Sequence, residues 1–523
     1  MRLLAFMLLC WSAIGADYYV ATNGSDSNPG TLVSPFLTVK KAARTTTLNP
    51  GDTVYIRGGT YTGYNHEIDL PAGTQNNGTS NAPITVKAYE SERPVITGID
   101  GTAFHYYALI LKSKEWWKFD GITWSNNYGH GYFENITNCV FTNCVFTAMP
   151  TNGWDANSSA YATVWLFGSS QLNRFYNCEF SWWGDVGDSD YKAHGSALSL
   201  GNETTDDQTW YNLWDGCRFN NCGHDLTTIS SAYNIFRNGT YHNEAWYPTN
   251  ATTQLFYNGG SARYQTNMYG AWAARIMKPG DAGDAMIDQR NVWENNTFIY
   301  AGPPPDSGGA FGIELATHKS IYRNNVIAYA LAAGIYINTS GSTTRVSSNA
   351  IYNNTIFGNG LSWVYGGDWM KSYSRGIDIN TFEGRMTNNF LVNNIVWQNY
   401  PSNVHANVIG YNYWRTNYSG DYSLSYPSFV NTNGFGWTYS ASNLPDFRLR
   451  ADSPCIDGAA WLATVTSASG SGTSFTVDNS LYFSDGNRVV SGDTIQLQGQ
   501  TVTAVITSND ITNNMLTFSP SLT

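Results

Sequence analysis

The stretch Gly312–Tyr336, GIELATHKSIYRNNVIAYALAAGIY, alternates apolar and polar positions in a pattern that closes on itself. GIEL reads as a strand, ATHK as a polar corner and SIYRNNVIAYA as a second strand, after which GIYI restarts the cycle. RIMK (Arg275–Lys278), GIYI (Gly334–Ile337) and GIDI (Gly376–Ile379) hold the first-strand position in their own cycles. The second position is marked by NCVF (Asn143–Phe146), NCEF (Asn177–Phe180), GCRF (Gly216–Phe219), NNTF (Asn295–Phe298), NNVI (Asn324–Ile327), NNTI (Asn353–Ile356) and NNIV (Asn393–Val396). A small or amide residue before a short alternating strand, repeated every ~20–40 residues, predicts an all-β solenoid of the parallel β-helix kind. No coil can bury its apolar residues alone, so stacked coils share one core.

Rungs about 4.8 Å apart bring equivalent side chains into ladders. The repeated Asn-Asn pairs fit such ladders: an inward amide at a corner can bond the next coil's amide and satisfy backbone groups that the bend leaves unpaired. Along the strands the same alternation puts Ile313 and Leu315 inward and Glu314 outward, with Tyr336 and Asp378 sharing its parity. If each belongs to the next coil, Glu314 and Asp378 lie two rungs apart, roughly 10 Å, as parts of a groove floor.

Composition narrows the class. Charged residues make up only 13% of the 523 residues, aromatic residues 15%, and the net charge is −11 with no basic run. That balance argues against a nucleic-acid partner, because an acidic chain repels phosphate backbones. Met1-Arg2, the apolar Leu3–Ile14 and the small residues through Ala16 read as a signal peptide over residues 1–16 with cleavage before Asp17. No later segment is apolar for long enough to span a bilayer. The expected product is a secreted, soluble protein, and a monomer.

Six cysteines lie beyond the signal, and Cys144, Cys178 and Cys217 share one position of the repeat. An exported chain permits disulfides, but buried thiols also behave as small hydrophobes, and ladder packing is the favoured reading. The spacings lack the histidines of a zinc site.

Residues 17–97 carry a different signal. The turn NGSDSNPGT, the segment PFLTVKKAA with a short amphipathic helix at Val39–Arg44, and the strand PGDTVYIRGGTY are followed by Ala82–Thr97, which reads as a first full coil. These segments resemble the N-terminal cap of secreted right-handed parallel β-helix proteins, the fold shared by pectate lyases and the chondroitinase and alginate lyase group. The resemblance implies a right-handed coil plugged at its open end by the helix. Residues 98–460 read as the coils, interrupted by long excursions at Trp182–His194 and Asn243–Ala273, the latter rich in Trp and Tyr and read as a binding wall. Asp446–Asp457, DFRLRADSPCID, resembles the last coil of such proteins. Residues 461–523 read as a small antiparallel β module, and their abrupt close after a strand fits a chain that continues.

Titratable residues cluster around this middle region. His224, Asp225, Arg275, Lys278, Glu314 and Lys319 are the candidate catalytic groups, and Trp246, Tyr247, Tyr336 and Asp378 the candidate substrate contacts. Glu244, Asp284, Asp288 and Glu294 supply the oxygens that a hard cation such as Ca²⁺ prefers. The resemblance implies an extracellular polysaccharide as partner and β-elimination as chemistry. In that reaction a cation or Arg neutralises the uronate carboxylate, a base (Lys278, Lys319, Arg275 or His224) removes the adjacent proton, and an acid protonates the leaving oxygen. A glycoside hydrolase using Glu314 with Asp378 or Asp225, and a non-catalytic glycan-binding protein, remain as alternatives.

Overall fold

The computed structural model describes residues 15–522, apart from 99–106, 128, 148–161, 182–195, 202–207, 221–226, 230, 243–271, 274–288, 301–310, 316, 338–345, 366–372, 380–385, 406–407, 409–411, 421–424, 433–443 and 469–470. Among the described residues, parallel strands line three faces of a coil. The first face is one sheet of 13 strands, the second a sheet of 12, and the third two sheets of 6 and 4. One coil visits all three: Ile313–Leu315 on the third face, Ile321–Arg323 on the first and Val326–Ala328 on the second. Ile335–Ile337 then pairs with Ile313–Leu315 to open the next rung.

The segment SIYRNNVIAYA is therefore two strands and not one. Asn324, with φ of 56°, turns the corner between them, and a short polar side chain tolerates that left-handed conformation better than a bulky one. Asn325 points inward and builds the ladder. Its amide donates to Asn354 Oδ1 at 3.0 Å, and Asn354 repeats the bond to Asn394 Oδ1 at 2.9 Å. At the same corner in earlier coils stand Cys178 and Cys217, whose thiols donate to the carbonyls of Phe141 and Phe175. The thiol takes the role that Asn325 Nδ2 plays toward Trp293 O. Cys139, Cys144, Cys178 and Cys217 are all free and buried, as ladder packing requires.

Inside the coil, Phe141, Phe175, Trp214, Phe236 and Trp293 form a column with successive centroids 4.6, 5.2, 4.6 and 4.1 Å apart. Each ring buried in this way contributes about 1.5–3 kcal/mol. At the N-terminal end Val39, Ala42 and Ala43 are buried against the core, and the helical turn after Lys40 closes with Thr46 N–H donating to Lys41 O. The stacking begins earlier than Ala82, because Asp17–Val20 already pairs with Thr53–Ile56 on the first face.

The other end also differs from expectation. The last strands of the first and second faces are Tyr413–Arg415 and Tyr418–Ser419. Asp446–Leu449 does not form a coil but pairs antiparallel with Phe429–Asn431. Phe447 and Phe429 bury their rings against Phe357, so this hairpin straps the second face from outside. Gly472–Thr476, Thr494–Gln496, Thr503–Asp510 and Met515–Leu522 form a four-stranded antiparallel sheet around Ile506, Leu516 and Phe518.

That C-terminal sheet belongs to a module packed on the outside of the first face. Leu213, Ile235, Val292, Ile321 and Ala350, outward on successive rungs, share a buried cluster with Tyr482 and Val489 of the module. Arg323 fastens the contact. It donates to Glu294 Oε2 at 2.6 Å and to Asp493 Oδ1 at 2.5 Å.

Candidate functional site

The third face positions the outward residues singled out above. Its strands Ile313–Leu315, Ile335–Ile337 and Ile377–Ile379 each follow a glycine because the backbone there runs against the next coil. A Cβ on Gly334 would lie 2.7 Å from Asn359 Nδ2 and 2.9 Å from Gly376 O. The GIxI motif thus marks close approach of neighbouring coils. Register aligns Trp272 with Glu314, Glu314 with Tyr336, and Tyr336 with Asp378. Val404 bridges Ile377 and so places His405 on the rung beyond Asp378.

These residues point away from the core, yet they are covered. Glu314 is 2% exposed, Tyr336 5% and Asp378 2%, so they do not form the open groove floor that outward parity suggested. Phe311 stacks on Tyr336 with centroids 4.0 Å apart and planes 13° from parallel, and Tyr373 meets the same ring edge-on at 5.6 Å. The two rings cover Tyr336, and the carboxylates on either side of it are buried outside the main core.

The electrostatic consequence is clearest at Asp378. Burial raises its pKa above the usual aspartate value, outweighing the opposing pull of Arg375, the Ile379 N–H and His405. Arg375 Nη1 lies 3.3 Å from Asp378 Oδ2, while Oδ1 has no hydrogen-bond partner among the described residues. A buried carboxyl held toward its neutral form beside a guanidinium can give a proton to a leaving oxygen, and the guanidinium can receive an incoming carboxylate.

The remaining candidates fall in different places. Lys319 occupies the corner after Ile313–Leu315, with φ of 53° and its N–H donating to Ser347 O. It lies on the approach to the first face and not on the row. Glu294 is on the first face, where Arg323 takes its carboxylate. The structure therefore separates Glu294 from Glu314 and spends its charge on the C-terminal module, which removes it from a shared cation site. His224, Asp225, Glu244, Trp246, Tyr247, Arg275, Lys278, Asp284 and Asp288 lie outside the described residues, as do the Trp182–His194 excursion and nearly all of Asn243–Ala273.

Arg375, His405, Phe311 and Tyr373 were not anticipated. Arg375 was within reach of a sequence reading, because it stands immediately before GIDI and three residues before Asp378. His405 was not, since the segment that carries it lacks the GIxI pattern.

Coil, caps and covered row together define a right-handed parallel β-helix protein. Residues 18–367 match the family model described as Pel9A-like, right handed beta helix region, and the chain belongs to that family. It is 31% identical over 151 residues to pectate lyase PEL9 of Emericella nidulans, covering 25% of this chain and 35% of that one. It is 46% identical over 80 residues to pectate lyase L of Paenibacillus polymyxa, covering 15% and 16% of the two chains. The matches thus span about a third or less of these curated relatives. The solved structure of pectate lyase Pel9A aligns over 84% of this chain and 91% of its own at 17% identity and a TM-score of 0.45.

Proposed function

We propose that this protein is a secreted polysaccharide lyase that cleaves a uronate-bearing polymer by β-elimination, with its reactive centre on the third face. The observation that carries this reading is the pairing of the half-buried Arg375 with a buried Asp378 whose pKa is raised, on a row shared with Glu314 and Tyr336. The cover that the C-terminal module lays over the first face supports the choice of face. Membership of a family named for a pectate lyase supports the reaction class.

In this reading the uronate carboxylate of the substrate replaces Asp378 as the partner of Arg375, and the pairing makes the proton beside that carboxylate more acidic. A base drawn from Lys278, Arg275 or His224 takes that proton. The electron pair forms a carbon–carbon double bond, the bond to the glycosidic oxygen breaks, and the protonated form of Asp378 gives its proton to that oxygen. Glu314, one rung beyond Tyr336, meets sugar hydroxyls once substrate displaces the cover over the row. Glu244, Asp284 and Asp288 would hold a Ca²⁺ ion, which adds positive charge at the uronate when bound.

Glycoside hydrolysis is the second reading, and one observation bears on it. Glu314 and Asp378 are two rungs apart, roughly 10 Å between backbones, just beyond the about 6.5–9.5 Å that separates the carboxyl groups of inverting enzymes, a gap that converging side chains close. The two reactions leave different products. Ultraviolet absorbance on a panel of pectic, alginate and glycosaminoglycan polymers rises when elimination creates a conjugated double bond. Reducing ends released without that rise would replace the lyase reading with hydrolysis, and neither signal on any polymer would sink both.

A further inference from the structure

At the C-terminal end of the coil, a cleft of about 830 Å³ separates the first face from the module packed on it. Its size falls within the roughly 300–1,000 Å³ usual for ligand sites. One wall is Phe390, Tyr413 and Arg415 from the last two rungs of the first face, and the other is Asp478, Leu481 and Tyr482 of the module. The row on Glu314, Tyr336 and Asp378 is on a different face, so this cleft has no part in that centre.

We propose that the cleft is a second glycan-binding site, which holds a segment of a uronate-bearing polysaccharide without cleaving it. The polymer class rests on the function proposed above. Three features support the proposal. Tyr413 is 56% exposed, yet its ring is held parallel to and stacked on Phe390, at a centroid distance of 4.6 Å and 4° between planes. An exposed flat ring fixed from behind is a platform for the apolar face of a sugar. Arg415 adds the charge: Nη2 donates to the carbonyls of Trp461 and Leu462 at 2.9 and 3.1 Å. These bonds orient the guanidinium and leave its other N–H groups for a carboxylate. Trp461, 63% exposed beside Leu462 of the cleft wall, offers a second ring. Rings for sugar faces together with a guanidinium for a carboxylate describe an acidic oligosaccharide better than a protein partner.

The test is affinity electrophoresis in gels containing polygalacturonate, pectin or alginate, run with the full-length protein and with Tyr413→Ala, Tyr413→Phe and Asp378→Asn. Cleavage rates on short oligomers are measured in parallel. Tyr413→Ala is expected to bind the retarding polymer about tenfold more weakly, the scale of one lost stacking contact. Tyr413→Phe keeps the ring and is expected to match the wild type, and short-oligomer rates stay unchanged in both. Weaker retardation in Tyr413→Ala supports the cleft even where no polymer is cleaved. Retardation that survives Tyr413→Ala but disappears in Asp378→Asn overturns the proposal while leaving the third-face centre standing. No retardation of the wild type by any of the three polymers also overturns it.

Discussion

Replacing Asn354 by Ala removes one member of the amide ladder and shows how much that ladder stabilises the coil. Asn354 is buried. Its Oδ1 accepts from the N–H and the Nδ2 of Asn325, both at 3.0 Å, and its Nδ2 donates to Tyr322 O and Asn394 Oδ1, both at 2.9 Å. Alanine leaves the Asn325 N–H without its acceptor and takes a donor from the Tyr322 carbonyl. The Asn325 side chain keeps Trp293 O, and Asn394 Oδ1 keeps the Asn354 N–H. Two buried groups stripped of a bond, at about 1–3 kcal/mol each, give an expected loss of about 2–6 kcal/mol. Asn354→Cys should fall between Ala and wild type, because Cys178 and Cys217 already supply the equivalent donor. Asn353→Gly is the control: Asn353 is exposed with φ of 55°, a conformation glycine accepts freely. Urea unfolding measures the order, and hydrogen exchange at Asn325 tests whether the loss is local, as expected in a solenoid of coupled repeats. An Asn354→Ala protein within about 0.5 kcal/mol of wild type would refute the view that these bonds matter, since that is the scatter of neutral surface changes.

Four further outcomes are expected. Gly334→Ala should destabilise the protein by about 1–3 kcal/mol through overpacking against Asn359 and Gly376, read as a lower thermal midpoint. Arg323→Met should weaken docking of the module by about 3 kcal/mol, the low end for a broken buried pair because each partner keeps some exposure, and limited proteolysis after residue 460 would report it. Asp378 binds its proton more tightly folded than unfolded, so it costs stability as pH rises from the ordinary aspartate value through its raised one; Asp378→Asn should flatten that part of the stability profile. Chelation is expected to abolish cleavage while leaving the melting curve unchanged if Ca²⁺ acts at Glu244, Asp284 and Asp288 and not in the fold.

The solenoid was legible because its residues repeat for physical reasons that a single chain displays. Asn354 and Asn394 recur because successive corners leave the same backbone groups to satisfy, and Gly334 and Gly376 recur because the third-face strands that follow them lie close against the next coil. The registered row of Glu314, Tyr336 and Asp378 followed from strand parity and was legible too. Its burial was not, because Phe311 and Tyr373 reach Tyr336 from segments with no periodic pattern. Glu294 misled for the same reason: Arg323 is one rung away, but Asp493, the third member of that ion cluster, is 170 residues further along the chain. Parity gives a side chain's direction but not what later folds over it.

The most direct test of the third-face centre is the initial rate of polymer cleavage by Asp378→Asn and Glu314→Gln, set beside Glu294→Gln on the first face. A rate loss of at least about a hundredfold in Asp378→Asn, typical for removal of a catalytic acid, is expected, with polymer binding retained and Glu294→Gln close to wild type. Full activity in Asp378→Asn would contradict the account and move the reactive centre off this row.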